Sequence, residues 1–282
     1  RDWSSDVCSS DLIDIIDALV AAEADAGAAS TDDAEIASAL ADSVRAHMVA
    51  DVDVGAFLSA GKDSTTLVAP AARASSARLA LTAWPGLGVA VRRAVWPLAK
   101  RFGNRKYASL IEYGGSHAQA YLLCRALYLP WELPAVLDAE LARDGLERLA
   151  VFDCLRAVEG RLKSPRAKVS ALEMSFYMRN QLLRDADWAG MAHSLEIRVP
   201  LVDTVLLKAL APRIVAPEPF SKDAMVEAVR AELPDALLNR AKSGFSVPVA
   251  AWMGGGTPGR FDHRAWARRV MDPTAGASLC TQ

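Results

Sequence analysis

Paired cysteines, an excess of charge of one sign and long apolar runs are all missing from this sequence. Its cysteines are few and scattered, with no C-x-x-C pair among them: Cys8, Cys124, Cys154 and Cys280. This pattern argues against a structural zinc site and is typical of a chain kept in a reducing compartment. We therefore expect no metal held by the protein's own side chains, and a cytoplasmic location.

The charges nearly cancel, since 32 basic residues stand against 34 acidic ones and the net charge is −2. A balanced chain offers no electrostatic basis for binding nucleic acid or an anionic membrane surface. No apolar run is long enough to span a bilayer, and no basic stretch precedes an apolar one at the start. The sequence predicts a soluble protein with neither nucleic acid nor membrane among its partners.

The first twelve residues, RDWSSDVCSSDL, have no apolar period and no initiator methionine. They resemble a translated sequencing adaptor, so we expect residues 1–12 to be a non-native leader and leave them out of the fold prediction. The remaining length suffices for one large domain or two small ones with a sizeable core.

A short apolar stretch followed by a turn of small residues dominates the N-terminal third. Residues 54–58 are typical of a buried strand, residues 59–61 form the turn, and a helix begins near Asp63. Such a turn aims backbone N–H groups and the positive end of a helix dipole at one point, which favours a phosphate group. The Walker A pattern G-x-x-x-x-G-K-[ST] is absent, so transfer of the γ-phosphoryl group is not indicated. An ordinary strand–helix turn is the alternative, because small residues suit such turns.

The remaining elements are predicted to be mainly helical. Residues 13–50 form an N-terminal helical segment, in which Thr31 or Asp32 caps a helix with one apolar face made of Ile36, Leu40, Val44 and Met48. Residues 51–84 form the nucleotide-binding part, with a helix over 64–77 and a second short strand over 78–84. Residues 85–253 form a helical part, and residues 254–282 a loose tail. Further helices are predicted over residues 117–129, 131–143, 145–162, 164–184 (capped by Ser164, with Pro165 in its first turn), 202–210, 222–233 and 249–253.

One segment of this helical part is unusually rich in charge. Asp187, Glu196, Arg198 and Asp203 lie within 17 residues of sequence in an apolar surrounding. Burying such groups is costly unless they pair with one another or with a ligand. The segment therefore predicts either an ion-pair network that holds a helix–turn–helix together or a ligand site.

Three motifs occur in an order that points to a known family. The loop around residues 59–64 looks like the PP-loop S-G-G-x-D-S, with Ala60 in place of its first glycine. Residues 191–203 are similar to M-A-H-x-L-E-x-R-V-P-F-L-D, and residues 240–248 resemble a K-x-G-F-x-x-P element. Together these motifs resemble the synthetase domain of the glutamine-hydrolysing asparagine synthetases over residues 35–253.

The resemblance implies an α/β PP-loop ATPase ancestry, Rossmann-like and similar to the adenine nucleotide α-hydrolases, with the remaining chain mostly α and a residual short parallel sheet. It implies that ATP, with the Mg²⁺ that accompanies it, activates the side-chain carboxylate of aspartate as an adenylate, and that ammonia from a glutaminase domain displaces AMP. The residues expected to hold ATP are Leu58, Ser59, Gly61, Asp63 and Ser64. The expected catalytic residues are Lys242, Asp187, Arg198 and Glu196, of which Lys242 would stabilise charge at the α-phosphate. Without its motif, Lys242 would be taken for a solvated surface lysine.

Two parts of the family pattern are missing. No glutaminase domain with its N-terminal cysteine is present, and no acidic glycine loop S-G-x-G-x-D-E follows Trp84. The nearest glycine pair, Gly114 and Gly115, lacks the acidic partners. We therefore expect a fragment or an internally deleted member whose activity is impaired.

The motifs are also compatible with other functions. Relatives on the same scaffold form macrolactams or other amides, so the motifs do not fix the carboxylate substrate. An RNA-modifying PP-loop protein would need a basic surface, which the balanced charge does not provide. A non-catalytic helical binding module, or one half of an enzyme split from its glutaminase subunit, also fits a chain without the acidic loop.

Overall fold

The computed structural model of the protein describes residues 7–25, 32–49, 87–101, 108–216, 222–230 and 263–271. Within these ranges every regular element is a helix. The predicted strands over 54–58 and 78–84 lie outside the described residues, and so does the parallel sheet that they would form. The helices predicted over 64–77 and 249–253 lie outside them as well.

The α-helices are numbered here in chain order. Their bounds are Val7–Ala24 (α1), Asp33–His47 (α2), Leu87–Arg101 (α3), Leu110–Tyr113 (α4), His117–Arg125 (α5), Ala139–Leu149 (α6), Val151–Glu159 (α7), Pro165–Leu172 (α8), Arg184–Met191 (α9), Thr204–Val215 (α10), Lys222–Ala228 (α11) and His263–Met271 (α12). Two 3-10 helices span Pro130–Ala135 and Pro200–Val202, and a π-helix spans Glu173–Leu183. None of the helices in the described ranges is long and apolar enough to cross a membrane.

The chain divides into two compact units. The first unit comprises residues 1–72 and 156–242, and the second comprises residues 73–155 and 243–282. Each of them has an apolar core of its own.

Helix α10 organises the core of the first unit, because it packs on two other helices at once. Its Ala211 and Val215 join the buried side chains of α1, namely Ile15, Ile16 and Leu19. One turn earlier, Leu206 and Leu210 pack with Ile36 and Leu40 of α2. The apolar spacing of α10 therefore serves two partners, and the two N-terminal helices are held through it.

The start of α2 confirms the predicted cap. Asp32 accepts a hydrogen bond from the Glu35 backbone N–H at 2.8 Å, and the Glu35 carboxylate accepts one in return from the Asp32 N–H at 3.3 Å. This is a capping box, which satisfies two N–H groups at the helix start. The predicted apolar face is only half right, since Val44 and Met48 are 46% and 56% exposed and Ser43 is buried in their place.

The helix predicted over residues 164–184 begins as expected and runs on beyond its predicted end. Ser164 caps it and Pro165 occupies its first position. The Glu23 carboxylate of α1 accepts hydrogen bonds from the backbone N–H groups of Lys163 and Ser164, both at 2.7 Å. The helical path then continues as the π-helix and as α9, seven residues past the predicted end. The apolar spacing gave no indication of the wider π turns.

In the second unit the predicted helix bounds are wrong in two places. A 3-10 helix and a turn occupy residues 130–138, where a helix over 131–143 was predicted, because Pro130 and Pro134 remove two backbone donors. Asp138 then caps α6, so Gly145 lies inside this helix instead of starting one. Ala150, with a φ of 42°, separates α6 from α7.

The buried core of the second unit, made of Tyr113, Leu123 and Leu129, is flanked by aromatic side chains that are half-buried. Arg92 of α3 donates to Glu112 at 2.7 Å and lies 4.2 Å from the ring centre of Trp131, which packs edge-on against Trp96. These contacts hold α3, a helix that the basic composition of its segment did not predict. Burial raises the pKa of Tyr113 to about 12, so its hydroxyl stays protonated even at pH values where an exposed tyrosine ionises.

Residues 254–282 were expected to form a loose tail, yet they contain α12. Arg264 of this helix donates to both carboxylate oxygens of Glu132, at 2.6 and 2.9 Å, and Tyr128 donates to the Arg264 carbonyl at 2.8 Å. The bonded partners lie more than 130 residues away in the sequence, so local sequence could not have indicated them.

Candidate functional site

The predicted site residues fall into two groups. Asp187, Glu196 and Arg198 belong to the described part of the chain. The predicted ATP-binding residues Leu58, Ser59, Gly61, Asp63 and Ser64, and the predicted catalytic Lys242, lie outside the described residues. The geometry of the site can therefore be built from the second motif, residues 191–203.

The charged groups of this segment are not buried, contrary to the expectation from the sequence. Asp187 on α9, Glu196 and Arg198 are all exposed, and Asp203 is half-buried. Asp203 caps α10, since its carboxylate accepts from the Val205 N–H at 2.9 Å. Its position is thus explained by helix capping, whereas Glu196 and Arg198 pair with each other.

The chain reverses after α9 at a glycine that the sequence analysis did not single out. The Gly190 carbonyl accepts from the N–H groups of both His193 and Leu195, each at 2.9 Å. Ser194 adopts a φ of 56° within this turn. A Cβ on Gly190 would lie 2.5 Å from the Leu195 carbonyl oxygen and 3.1 Å from the Ile197 side chain. Only glycine lets residues 195–199 return this closely along the helix.

We predict that Gly190→Ala displaces this returning segment and lowers the free energy of unfolding of the first unit by about 1–3 kcal/mol, the usual cost of overpacking. Urea unfolding and hydrogen exchange over residues 190–200 measure the effect. Gly145→Ala is the control, because no atom other than those of its chain neighbours and of the α6 backbone lies within 4 Å of its added Cβ. That variant should instead be stabilised by about 0.5–1 kcal/mol. Equal effects of the two substitutions would show that the close approach at Gly190 has no cost.

Arg198 has an acceptor for each of its three guanidinium nitrogens. Nε donates to Glu196 Oε1 at 2.7 Å, and Nη2 lies 3.4 Å from Glu196 Oε2. Nη1 donates to the backbone carbonyls of His47, the last residue of α2, at 3.0 Å and of Val49, two residues further on, at 2.6 Å. The hydrogen bond from Arg198 lowers the pKa of the Glu196 carboxyl, so Glu196 is ionised at neutral pH.

We predict that Arg198→Ala raises the pKa of Glu196 back toward its ordinary value. A carboxyl whose pKa is lower in the folded state than in the unfolded state contributes stability above its ordinary pKa, and this contribution is lost as the pH falls through the lowered value. The stability difference between the wild type and Arg198→Ala should therefore shrink under acidic conditions. Carbon-13 NMR titration of the Glu196 carboxyl tests the prediction, with Arg45→Ala as the control. An unchanged titration midpoint in Arg198→Ala would contradict it.

Among the described residues, no group of three or more histidine, cysteine, aspartate or glutamate side chains is placed to hold a metal ion. The acidic groups of the segment cap a helix or pair with arginine, as Asp203 and Glu196 do. The chemistry that this part of the chain offers is hydrogen bonding and charge pairing at the end of α2.

The chain is similar to known proteins over most of its length. A family model of PP-loop ATPase type matches residues 35–86 and 91–275. That family is asparagine synthase, and because the match covers most of the chain, the protein belongs to it. The family consists of ligase-type enzymes, and the resemblance found in the three sequence motifs is confirmed.

Curated relatives match over shorter stretches. The chain is 28% identical over 107 residues to asparagine synthetase [glutamine-hydrolyzing] 1 of Bacillus subtilis (strain 168). The matched stretch covers 37% of this chain and 16% of that protein. It is 33% identical over 96 residues to putative asparagine synthetases [glutamine-hydrolyzing] of Mycobacterium bovis and Mycobacterium tuberculosis, covering 33% of this chain and 15% of theirs. The matched stretch thus spans about a sixth of each curated relative's length. No solved structure matches.

Proposed function

We propose that this chain is the synthetase part of an asparagine synthetase-type ligase, which forms an amide from a carboxylate at the expense of ATP. In this reaction a carboxylate oxygen, from the aspartate side chain, attacks the α-phosphorus of ATP and pyrophosphate leaves. Ammonia then attacks the activated carbonyl carbon and AMP leaves. The observation that carries the proposal is the family match over residues 35–86 and 91–275, which includes the loop and both later motifs in order.

The roles of the residues follow from their motif positions. Leu58, Ser59, Gly61, Asp63 and Ser64 would hold the ATP phosphates, together with the Mg²⁺ that ATP carries. The ammonium group of Lys242 would balance the charge that develops at the α-phosphate. Asp187, which is exposed on α9, would lie near the activated intermediate. Ammonia would come from a glutaminase domain supplied by another part or another chain.

We further propose that the reaction is impaired in the chain as it stands. The acidic glycine loop of the family is missing after Trp84, and the family match is interrupted at residues 87–90, close to that point. Without those carboxylates, the Mg²⁺–pyrophosphate product has fewer groups to stabilise it. Weak binding of ATP is compatible with this loss, whereas adenylation is not.

Exchange of labelled pyrophosphate into ATP tests this proposal directly. With aspartate and Mg²⁺ present, we expect the purified chain to show exchange at the background rate. Exchange well above background would show that the chain is not impaired. Inserting an acidic glycine loop from a family member after Trp84 should restore aspartate-dependent exchange, and Lys242→Ala in that repaired chain should abolish it. Failure of every repaired chain would contradict the ligase proposal itself.

A second candidate, one subunit of a split enzyme, is favoured by the exposure of apolar side chains in the second motif and within three residues of either end of it. Trp188, Met191, Leu201 and Val205 are 64%, 56%, 56% and 72% exposed. Large apolar side chains in one exposed segment are typical of an interface. Co-purification of the chain with a separate glutaminase-type subunit, lost on Trp188→Ser and Leu201→Ser, would support it. Absence of any complex with such a subunit would leave the first candidate.

A further inference from the structure

Arg198 joins two parts of the first unit that are far apart in the sequence. Its Nη1 bonds the carbonyls of His47 and Val49, which lie 151 and 149 residues before it. Its Nε and Nη2 face Glu196 on its own segment. The Arg198 side chain is 32% exposed and the Glu196 side chain 62% exposed, so the arginine is the more covered partner.

A second contact fixes the same two segments. Ser43 Oγ donates to the Pro200 carbonyl at 2.7 Å, and Ser43 is only 4% exposed. Ser43 and His47 lie one helical turn apart on α2, while Arg198 lies two residues before Pro200, the first residue of the second 3-10 helix. The end of α2 is therefore bound at two points, and its orientation relative to residues 198–200 is set.

Arginine suits this position for electrostatic and geometric reasons. The last carbonyls of a helix have no partner within it and carry the negative end of the helix dipole. A planar guanidinium can donate to these carbonyls from one nitrogen while its other nitrogens face a carboxylate. The Glu196 carboxylate, by holding Nε and Nη2, orients Nη1 toward the helix end. A lysine ammonium has the charge but lacks this fork.

We propose that Arg198 is a positioning residue of the ligase: it holds the end of α2 through the carbonyls of His47 and Val49, and Glu196 orients it. Residue Val49, whose carbonyl Arg198 binds, is followed directly in the sequence by residues 50–64, which carry the proposed ATP-binding loop. Arg198 then acts on ATP binding through the backbone of α2 and not by touching the substrate. The positioning role in catalysis rests on the proposed function, whereas the contact with α2 does not.

Hydrogen exchange over residues 44–53 tests the contact without requiring activity. We expect Arg198→Ala to accelerate exchange there by about tenfold or more, as for the loss of hydrogen bonds to a charged group, and Ser43→Ala to accelerate it as well. Glu196→Gln should have a smaller effect in the same direction. Arg45→Ala is the matched control, because Arg45 lies in the last turn of α2 and pairs only locally with Asp42 among the contacts seen. Wild-type exchange rates in Arg198→Ala, or equal acceleration in Arg45→Ala, would overturn the proposal.

The affinity for Mg²⁺–ATP, measured on the same variants by titration calorimetry, separates positioning from direct contact. We expect Arg198→Ala to weaken binding several-fold, and Arg198→Lys to recover only part of the affinity. Full recovery by lysine, with exchange over residues 44–53 still accelerated, would show that Arg198 contributes charge to the ligand and would overturn the positioning role. If the wild-type chain binds no Mg²⁺–ATP, the ATP-binding part of the proposed function fails, and the exchange experiment still decides whether Arg198 holds α2.

Discussion

Arg264→Ala is expected to release α12 from the second unit and to lower its free energy of unfolding by about 3–5 kcal/mol, the usual cost of removing one partner of a buried ion pair. The Arg264 and Glu132 side chains are 18% and 10% exposed, and both carboxylate oxygens of Glu132 receive a hydrogen bond from the guanidinium. Without Arg264, the Glu132 carboxylate loses both of these hydrogen bonds and keeps only the Leu129 N–H of the contacts described, at 2.9 Å. Urea unfolding followed by tryptophan fluorescence, with hydrogen exchange over residues 263–271, measures the loss.

Arg268→Ala is the matched control for this prediction. Arg268 lies on the same helix, is exposed, and has its guanidinium carbon 5.9 Å from the Tyr128 ring centre. Removing such an exposed cation–π contact costs about 0.5–1 kcal/mol. The double variant Glu132→Leu with Arg264→Met should recover most of the loss, since it removes both charges and keeps the volume. Equal destabilisation by Arg264→Ala and Arg268→Ala would show that the ion pair does not hold α12.

Leu19→Ala should be among the most damaging single truncations in the core of the first unit. Leu19 is fully buried and belongs to the cluster that α1 forms with α8 and α10. Because that cluster is closely packed, we expect a cavity and a loss of about 2–5 kcal/mol. Denaturant unfolding measures it, with hydrogen exchange in α10 as the local probe.

Two further substitutions make the Leu19 experiment interpretable. Ile13→Ala removes an apolar side chain from the same helix, but Ile13 is 54% exposed, so its effect should stay within about 0.5 kcal/mol. Leu19→Met keeps the volume and should cost less than about 1.5 kcal/mol, so it will remain folded if Leu19→Ala does not. If Ile13→Ala lowered the free energy of unfolding as much as Leu19→Ala does, α1 would not pack as described.

The features that the sequence predicted correctly depend on neighbouring residues. Asp32 and Glu35 form a capping box across four positions, and Ser164 with Pro165 starts a helix for equally local reasons. The predictions are wrong where contacts with residues far away in the sequence determine the local structure. Ser43 replaces Val44 on the buried side of α2 because residue 200 lies against it, and α12 forms where Glu132 and Tyr128 hold it.

In the candidate site, too, some features depend on neighbouring residues and others on residues that the fold brings together. Sequence alone indicated that the charged residues of this segment pair with one another or with a ligand, and the structure pairs Glu196 with Arg198. It gave no sign that Gly190 must lack a side chain, because the Leu195 carbonyl that excludes one returns to it through a turn. It also could not show that Arg198 reaches the end of α2.

The sequence by itself determined the family, the order of its three motifs and the missing acidic loop, because these are properties of residue type and spacing. The tertiary structure decided what the charged residues of the second motif contact. Helix α2 packs against α10 through Ile36 and Leu40, and this packing brings the carbonyls of His47 and Val49 to Arg198 from 151 and 149 residues away. Such a meeting is set by the burial of apolar side chains over the whole unit, and no local pattern in the chain encodes it.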